Sequence, residues 1–473
     1  MTASTTVFLE RRLFLLSTPG LIAGLLIGVL ALLATFVGQS NVSAAIEARA
    51  EFAAKYDQGL QDWRSALEAI ENGASDIKPT DARPMNLRFP AVMPPGPLAD
   101  FVSGRERLHP STTVISGWSN PASLFTEYEF DNPTPLSIGN LDLSFLVVAL
   151  MPLIMIAVSF DILAADRERG RARITAVQSG ALSRSIWERL VVRNLALWAV
   201  LIAVTLIAVA FSPLSGGQGE RIAHYFAWLA TALLYGVFWF GLIAAASALF
   251  KRSETVASTL FAVWAAFLFA VPAIGGALAE GFYPPPSRLA FLSEMREGEV
   301  IAVRETASLT AGFLADHPDM TVSDEAVPGY YRSSFLANTE ASKRTTPILE
   351  EFEESRRRRD GVVRLIQFAS PSMIVDRALA AFAGGDLDRA MDFQRQAFAA
   401  LDELHRVIGP VVVAKQRLSL DEFDALPPFS FEEASLAKTL GRNAVPLLYL
   451  AAVGVALMLF ARRRLGASLE KLL

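Results

Sequence analysis

Asp166-Arg167-Glu168-Arg169-Gly170 alternates acid and base over four residues and ends on a glycine, and its chemistry is that of docking. Alternating charges offer both signs to a partner groove, while Gly170 supplies the backbone freedom to turn from one helix into the next. Gln178, Ser179, Gly180, Ser183 and Arg184 follow. Seven arginines (Arg167, Arg169, Arg171, Arg173, Arg184, Arg189 and Arg193) fall in or beside this stretch against few acids. No catalytic constellation competes with it. The four histidines, His109, His224, His317 and His405, are scattered without ligand spacing and read as ordinary surface or interface residues. No spacing suggests a serine, histidine and carboxylate set. The absence of cysteine excludes disulfides, thiolate metal sites and cysteine-ligated iron–sulfur clusters.

The elements that must position this segment are membrane helices. With 52% hydrophobic and 19% charged residues and a mean hydropathy of +0.36, the 473-residue chain is too apolar for a soluble protein. Its apolar residues gather into six runs, 13–37, 141–164, 191–211, 223–250, 256–279 and 444–460, each read as a span. Residues 165–190 lie between the second and third, and their arginines place them in the cytoplasm by the positive-inside rule. Lys251-Arg252 and Arg462-Arg463-Arg464 mark the other inner segments, so residues 1–12 and 461–473 are also inside. Arg11-Arg12 before the first run resembles a twin-arginine signal, but a run of about 25 residues exceeds a signal h-region. Gly20, Gly24 and Gly28 share one face of the first span and would let a helix of this chain, or of a second copy, approach closely.

Two long blocks fall on the opposite side. Residues 38–140 open with a helical continuation of the first span and then become proline-punctuated, favouring extended segments and turns. Residues 281–442 are mostly helical; in them Glu353 and Glu354 precede Arg357 and Arg358 by four, the supportive order on a solvated helix. The expected fold is therefore an all-α polytopic membrane protein, with six transmembrane helices and a mainly helical outer domain, containing some β structure, built from the two inserts. Ionisable residues such as Asp142, Asp161, His224 and Glu280 stay near span ends, so nothing in the spans suits an ion-coupled pump, and the energy for any work must come from a partner.

Leu214-Ser215-Gly216-Gly217-Gln218 is identical to the signature motif of ABC ATPases, yet the chain has no G-x-x-x-x-G-K-[ST] loop for it to serve, and the match reads as coincidence. The segment Asp166 to Gly170, with Gln178-Ser179-Gly180 and Ser183-Arg184, instead resembles the cytoplasmic coupling segment of exporter-type ABC permeases. Arg171-Ala172 stand where that family usually has Thr-Leu. Phe368-Ala369-Ser370-Pro371, Ala378 to Gly385, Asp392-Phe393 and Leu420 to Phe429 are similar to a subfamily with a large periplasmic insert of uncharacterised role.

The resemblance implies a non-enzymatic permease subunit in the bacterial inner membrane, with both termini cytoplasmic. It implies ATPase coupling through Asp166, Arg167, Glu168, Arg169, Gly170, Gln178, Ser183 and Arg184. The partners it implies are a dimer of cytoplasmic ABC ATPase subunits, a second copy or a related permease, a periplasmic protein and membrane lipids, with no nucleic acid. No cofactor is expected in this chain; ATP and Mg belong to the partner ATPase. A mechanotransmitter that drives a periplasmic partner without passing a substrate is the alternative. Single cysteines test the orientation: at Ser75, Ser215 and Ser333 they should react with a membrane-impermeant thiol reagent in spheroplasts, and at Ser183 and Ser253 they should not. Labelling at Ser183 without Ser333 overturns the orientation.

Overall fold

The computed structural model describes residues 10, 12–73, 82–106, 109–121, 123–125, 141–170, 182–214, 217–284, 293, 296–297, 300–301, 304–316 and 329–470. Helix α1 (Thr18–Glu71) is followed by strands β1 (Arg88–Val92) and β2 (Thr112–Ser116). Next come α2 (Leu143–Glu168), α3 (Leu182–Ala210), α4 (Gln218–Leu249) and α5 (Ser253–Phe282). Then α6 (Gly329–Ile366), α7 (Pro371–Ala383), α8 (Leu387–Val413) and α9 (Leu420–Asp424) lead to α10 (Leu436–Glu470). Six of these helices, α1 to α5 and α10, are long and apolar enough to cross a membrane, the pattern of a multi-pass membrane protein.

Helix α1 starts where Ser17 Oγ accepts a hydrogen bond from the Gly20 amide at 3.1 Å, ahead of an uninterrupted apolar stretch. At 1.5 Å per residue its 54 residues run about 80 Å, against roughly 30 Å of hydrocarbon. The remainder therefore projects beyond the other spans. Helix α3 begins at Leu182, well before the expected Val191, so the end of the 165–190 segment is the first part of a spanning helix.

Within the chain, Gly20, Gly24 and Gly28 make no close helix crossing. A Cβ on Gly24 would meet nothing within 4 Å, one on Gly28 only Val200 at 3.7 Å, and one on Gly20 would strike the carbonyl oxygen of Phe14 in the same chain segment. Close approach occurs instead between α4 and α10, where a Cβ on Gly241 would lie 3.0 Å from the Gly454 carbonyl oxygen. The difference follows burial: α4 is more enclosed than α1, where Gly24 and Gly28 are only half-buried.

Two spans carry a π-helical turn just before a proline: Leu146–Leu150 ahead of Pro152 in α2, and Ala266–Ala270 ahead of Pro272 in α5. Proline has no N–H, so each leaves a carbonyl without its helical donor in a place where water is scarce. Other elements answer them. Tyr235 of α4 donates its hydroxyl to Val148 O at 3.1 Å, Trp264 Nε1 donates to Ala149 O at 2.9 Å, and Ser370 Oγ donates to Phe267 O at 2.7 Å.

Ser370 belongs to the block read from the sequence as 281–442, part of which packs against the spans. Helix α7 packs among the spans: Val375, Ala378, Leu379 and Phe382 are each at most 1% exposed and share one apolar cluster with residues of α2, α4 and α10. Ser370 caps its N-terminus, Ser372 exchanges a 2.9 Å hydrogen bond with Tyr235, and His224 Nδ1 lies 2.8 Å from Phe382 O at the other end. His224, read from the sequence as a surface or interface residue, is thus buried between α4 and α7. The chain descends through the end of α6, whose Ile366 packs on Gly275 of α5, and climbs back through α7.

A second apolar core lies beyond the spans and draws on both long blocks. Trp63 and Leu67 of α1, Met85, Ala91 and Ile115 of the proline-rich block, and Phe335, Phe393, Leu401 and Ile408 of α6 and α8 pack together. The two strands pair antiparallel, from Arg88 opposite Ser116 to Val92 opposite Thr112. The expected pairs on α6 form, Arg357 with Glu353 at 3.3 Å and Arg358 with Glu354 at 2.9 Å. An irregular strap from Leu426 to Ser435 carries the chain back toward α10. It is clamped to α8: Gln396 both donates to Glu432 O and accepts from Glu432 N, and Phe429 and Phe431 stack edgewise on Phe393.

Where this distal unit meets the spans, Gly384 ends α7 in the left-handed region at φ 79° and crosses Gly96. A Cβ on Gly384 would sit 2.7 Å from Gly96 Cα and 2.8 Å from Pro97 Cδ. Gly384→Ala should therefore lower stability by about 1–3 kcal/mol, combining backbone strain with this contact. A fall of several degrees in the thermal midpoint of the detergent-purified protein checks it; an unchanged midpoint would contradict the crossing.

Candidate functional site

The charged segment closes the end of the bundle opposite the distal unit, and several of its charges are engaged by neighbouring helices. The last turn of α2, Ala164–Glu168, ends at Gly170, whose φ of 70° turns the chain away from the helix. Asp166, buried at 9% exposure, accepts from Arg189 Nη1 of α3 at 2.6 Å. Glu10 lies 3.7 Å from Arg189 Nε and 3.4 Å from Arg193 Nε. Arg193, one helical turn beyond Arg189, also donates to Val158 O at 2.6 Å and stands 3.6 Å from Asp161. α2, α3 and the start of the chain are thereby stitched by two arginines and three carboxylates.

The next two residues tie α2 to α4 and α5. Arg167 Nη1 donates to Ser247 O at 3.2 Å and to Phe250 O at 3.1 Å, placing a cation on the free carbonyls at the C-terminus of α4. Glu168 Oε1 accepts from Ser253 N at 2.7 Å at the N-terminus of α5. Arg252, at the N-cap, supplies no side-chain acceptor there, so Glu168 caps the helix from another span. Both charges have the sign that the helix dipole they meet favours.

Of the residues assigned to coupling from the sequence, Asp166, Arg167 and Glu168 are thus engaged within the chain. Arg169 and Gly170 are exposed, and so is Arg184, which pairs with Glu188 of its own helix at 2.9 Å. Ser183 lies in the first turn of α3, its side chain outside the described residues, and Gln178 lies outside them altogether. Arg189, Arg193, Asp161 and Glu10 complete the latch, although sequence reasoning read the first two only as topological charge. Their spacing of four on α3 was the available signal. The carbonyls of Ser247 and Phe250 had none, since any residue could supply them. Of Leu214 to Gln218, Leu214 follows α3 and Gly217 precedes α4 at the opposite end of the bundle from the latch, and Ser215 and Gly216 lie outside the described residues.

Ion pairs and helix caps hold elements in register and transmit displacement; the latch contains no arrangement of nucleophile and base. Among the described residues no group of three or more His, Cys, Asp or Glu could hold a metal ion.

A family model described as a domain of unknown function, DUF3526, matches residues 288–432, from before α6 through much of the strap. No curated protein and no solved structure matches the chain.

Arg167→Ala removes both hydrogen bonds from the end of α4 and should cost about 1–3 kcal/mol, the penalty for leaving part-buried acceptors unmet. Arg169→Ala, at an exposed site, should cost within about 0.5 kcal/mol. Comparing the two thermal midpoints checks the latch, which fails if both variants melt alike.

Proposed function

We propose that this chain is the permease subunit of an ABC transporter of exporter type, coupling ATP hydrolysis by a separate ATPase subunit to movement of a substrate across the inner membrane. The observation that carries the reading is the reach of one five-residue segment: Asp166 contacts α3, Arg167 contacts α4, and Glu168 contacts α5. A force applied beside Arg169, Gly170 and Arg184 on the exposed side is then shared by four spans at once. Rigid ion pairs and caps suit that role because they have a defined geometry and resist shear better than apolar contacts that can slide. In this reading the latch end is cytoplasmic, the distal unit is periplasmic, and ATP and Mg stay with the ATPase. The chain itself carries out no hydrolysis.

Mechanotransmission to a periplasmic partner is a second reading, favoured by the continuity of α1. Its 54 residues run unbroken from the spans into the distal core, and the clamped strap joins that core to α10. Movement of the spans would reach the distal unit along both.

Under either reading the exposed surface beside the latch seats the ATPase. The double variant Arg169→Glu, Arg184→Glu should reach the membrane at normal levels and keep its thermal midpoint, yet co-purify with roughly tenfold less ATPase, the effect expected when two favourable docking charges become repulsive. Full co-purification, or a loss explained by unfolding, would reject the docking surface. With the intact complex in vesicles, ligand accumulation driven by ATP supports the transport reading; ATP-driven movement of spin labels on the distal unit without accumulation supports the second.

A further inference from the structure

A cavity of about 400 Å³ opens between α6, α8 and the start of α10, at the level where α10 meets its apolar stretch. Four arginines from these three helices line it: Arg356 and Arg357, Arg395, and Arg442. Three carboxylates, Glu353, Asp388 and Asp392, oppose them. That balance already leaves positive charge, and the carboxylates pair largely with these same arginines, Arg442 standing 3.7 Å from Asp388 and 4.0 Å from Asp392. Arg364, from outside the cavity, holds Asp388 through both oxygens at 3.0 and 3.1 Å. Glu353 pairs with Arg357, and Asp392 with Arg395.

Arg356 is the residue left over. No hydrogen bond or ion pair to it is found among the described residues, and its guanidinium stands open to the cavity. Partial desolvation and the nearby charge of Arg359, against the pull of Glu353, hold the pKa of this exposed side chain below the usual arginine value. All four cations are arginine, whose planar donor fork matches phosphate oxygens and survives partial desolvation better than an ammonium. The volume suits a small polar molecule or a lipid head group.

We propose that this cavity binds a phosphate ester, with Arg356 as the principal contact and Arg357, Arg395 and Arg442 around it. The site does not depend on the permease reading. Its depth at the end of the spans is that of a phospholipid head group, and a soluble phosphate compound offers the same chemistry.

The full chain, purified in a maltoside detergent, is titrated with dioctanoyl phosphatidylglycerol, with inorganic phosphate, and with sodium chloride at matched ionic strength, reading the thermal midpoint. A saturable rise beyond the chloride control is expected with the lipid or with phosphate. Arg356→Gln disturbs no ion pair of the chain and should raise the half-saturating concentration about fivefold, as loss of one charge-assisted contact at a partly open site implies. Arg395→Gln, exposed on α8, should weaken it in the same direction and serves if the first variant is unstable. Saturation by inorganic phosphate identifies a soluble anion, whereas saturation by the lipid alone identifies a head group. No rise beyond chloride with either compound, or an equal response in wild type and both variants, overturns the site.

Discussion

A proline in a membrane helix frees a carbonyl that hydrocarbon cannot solvate, and the architecture of this protein depends on how two such breaks are met. Pro152 and Pro272 follow π-helical turns in α2 and α5. The exposed carbonyls of Val148 and Phe267 receive hydroxyl donors from Tyr235 and Ser370. Tyr235 in turn bonds Ser372, so the two answers meet at the N-terminus of α7. An unsatisfied carbonyl at this depth would cost several kcal/mol. The insertion of α7 among the spans is therefore part of what allows α2 and α5 to bend.

That insertion makes the distal unit inseparable from the spans. α7 hands the chain to α8 through Gly384, and Arg389 of α8 gathers the surrounding pieces. Its guanidinium donates to Gly384 O, to Pro94 O and to both oxygens of Glu433 on the strap, while lying over the ring of Phe431. At 5% exposure this buried cation is tolerable only because it is paired and hydrogen-bonded so fully. The distal core thus holds the spans at four places: along α1, where the end of α6 packs on α5, at the α7–α8 junction and through the strap.

The opposite end follows a different logic. There the charges sit at helix termini, where the backbone itself carries partial charge, and each contact joins two spans rather than stiffening one. Arg167 and Glu168 are adjacent, opposite in sign, and meet opposite helix ends across a tight α4–α5 turn. Acid beside base in this segment thus has an internal cause, independent of any partner. Among the described residues of the segment, Glu168, Arg169, Gly170 and Arg184 are exposed.

Much of the framework was legible in the sequence. Apolar runs long enough to span hydrocarbon have few alternatives, the proline-free stretch after the first run continues as helix, and the i,i+4 charges of α6 pair as their spacing demands. Residue type alone decides such features, because each rests on a local period. α7 was not legible: thirteen residues are too short to read as a span, and an apolar face does not say which core it will join. Nor did regular glycine spacing reveal that the close helix crossing would be made by Gly241 and Gly454. The docking letters were visible, but their partners were backbone carbonyls and amides, groups every residue carries and no sequence distinguishes. Sequence therefore determined the spans and the charges at their ends; only the tertiary structure decided which of the described charges are consumed by contacts between helices and which stay exposed.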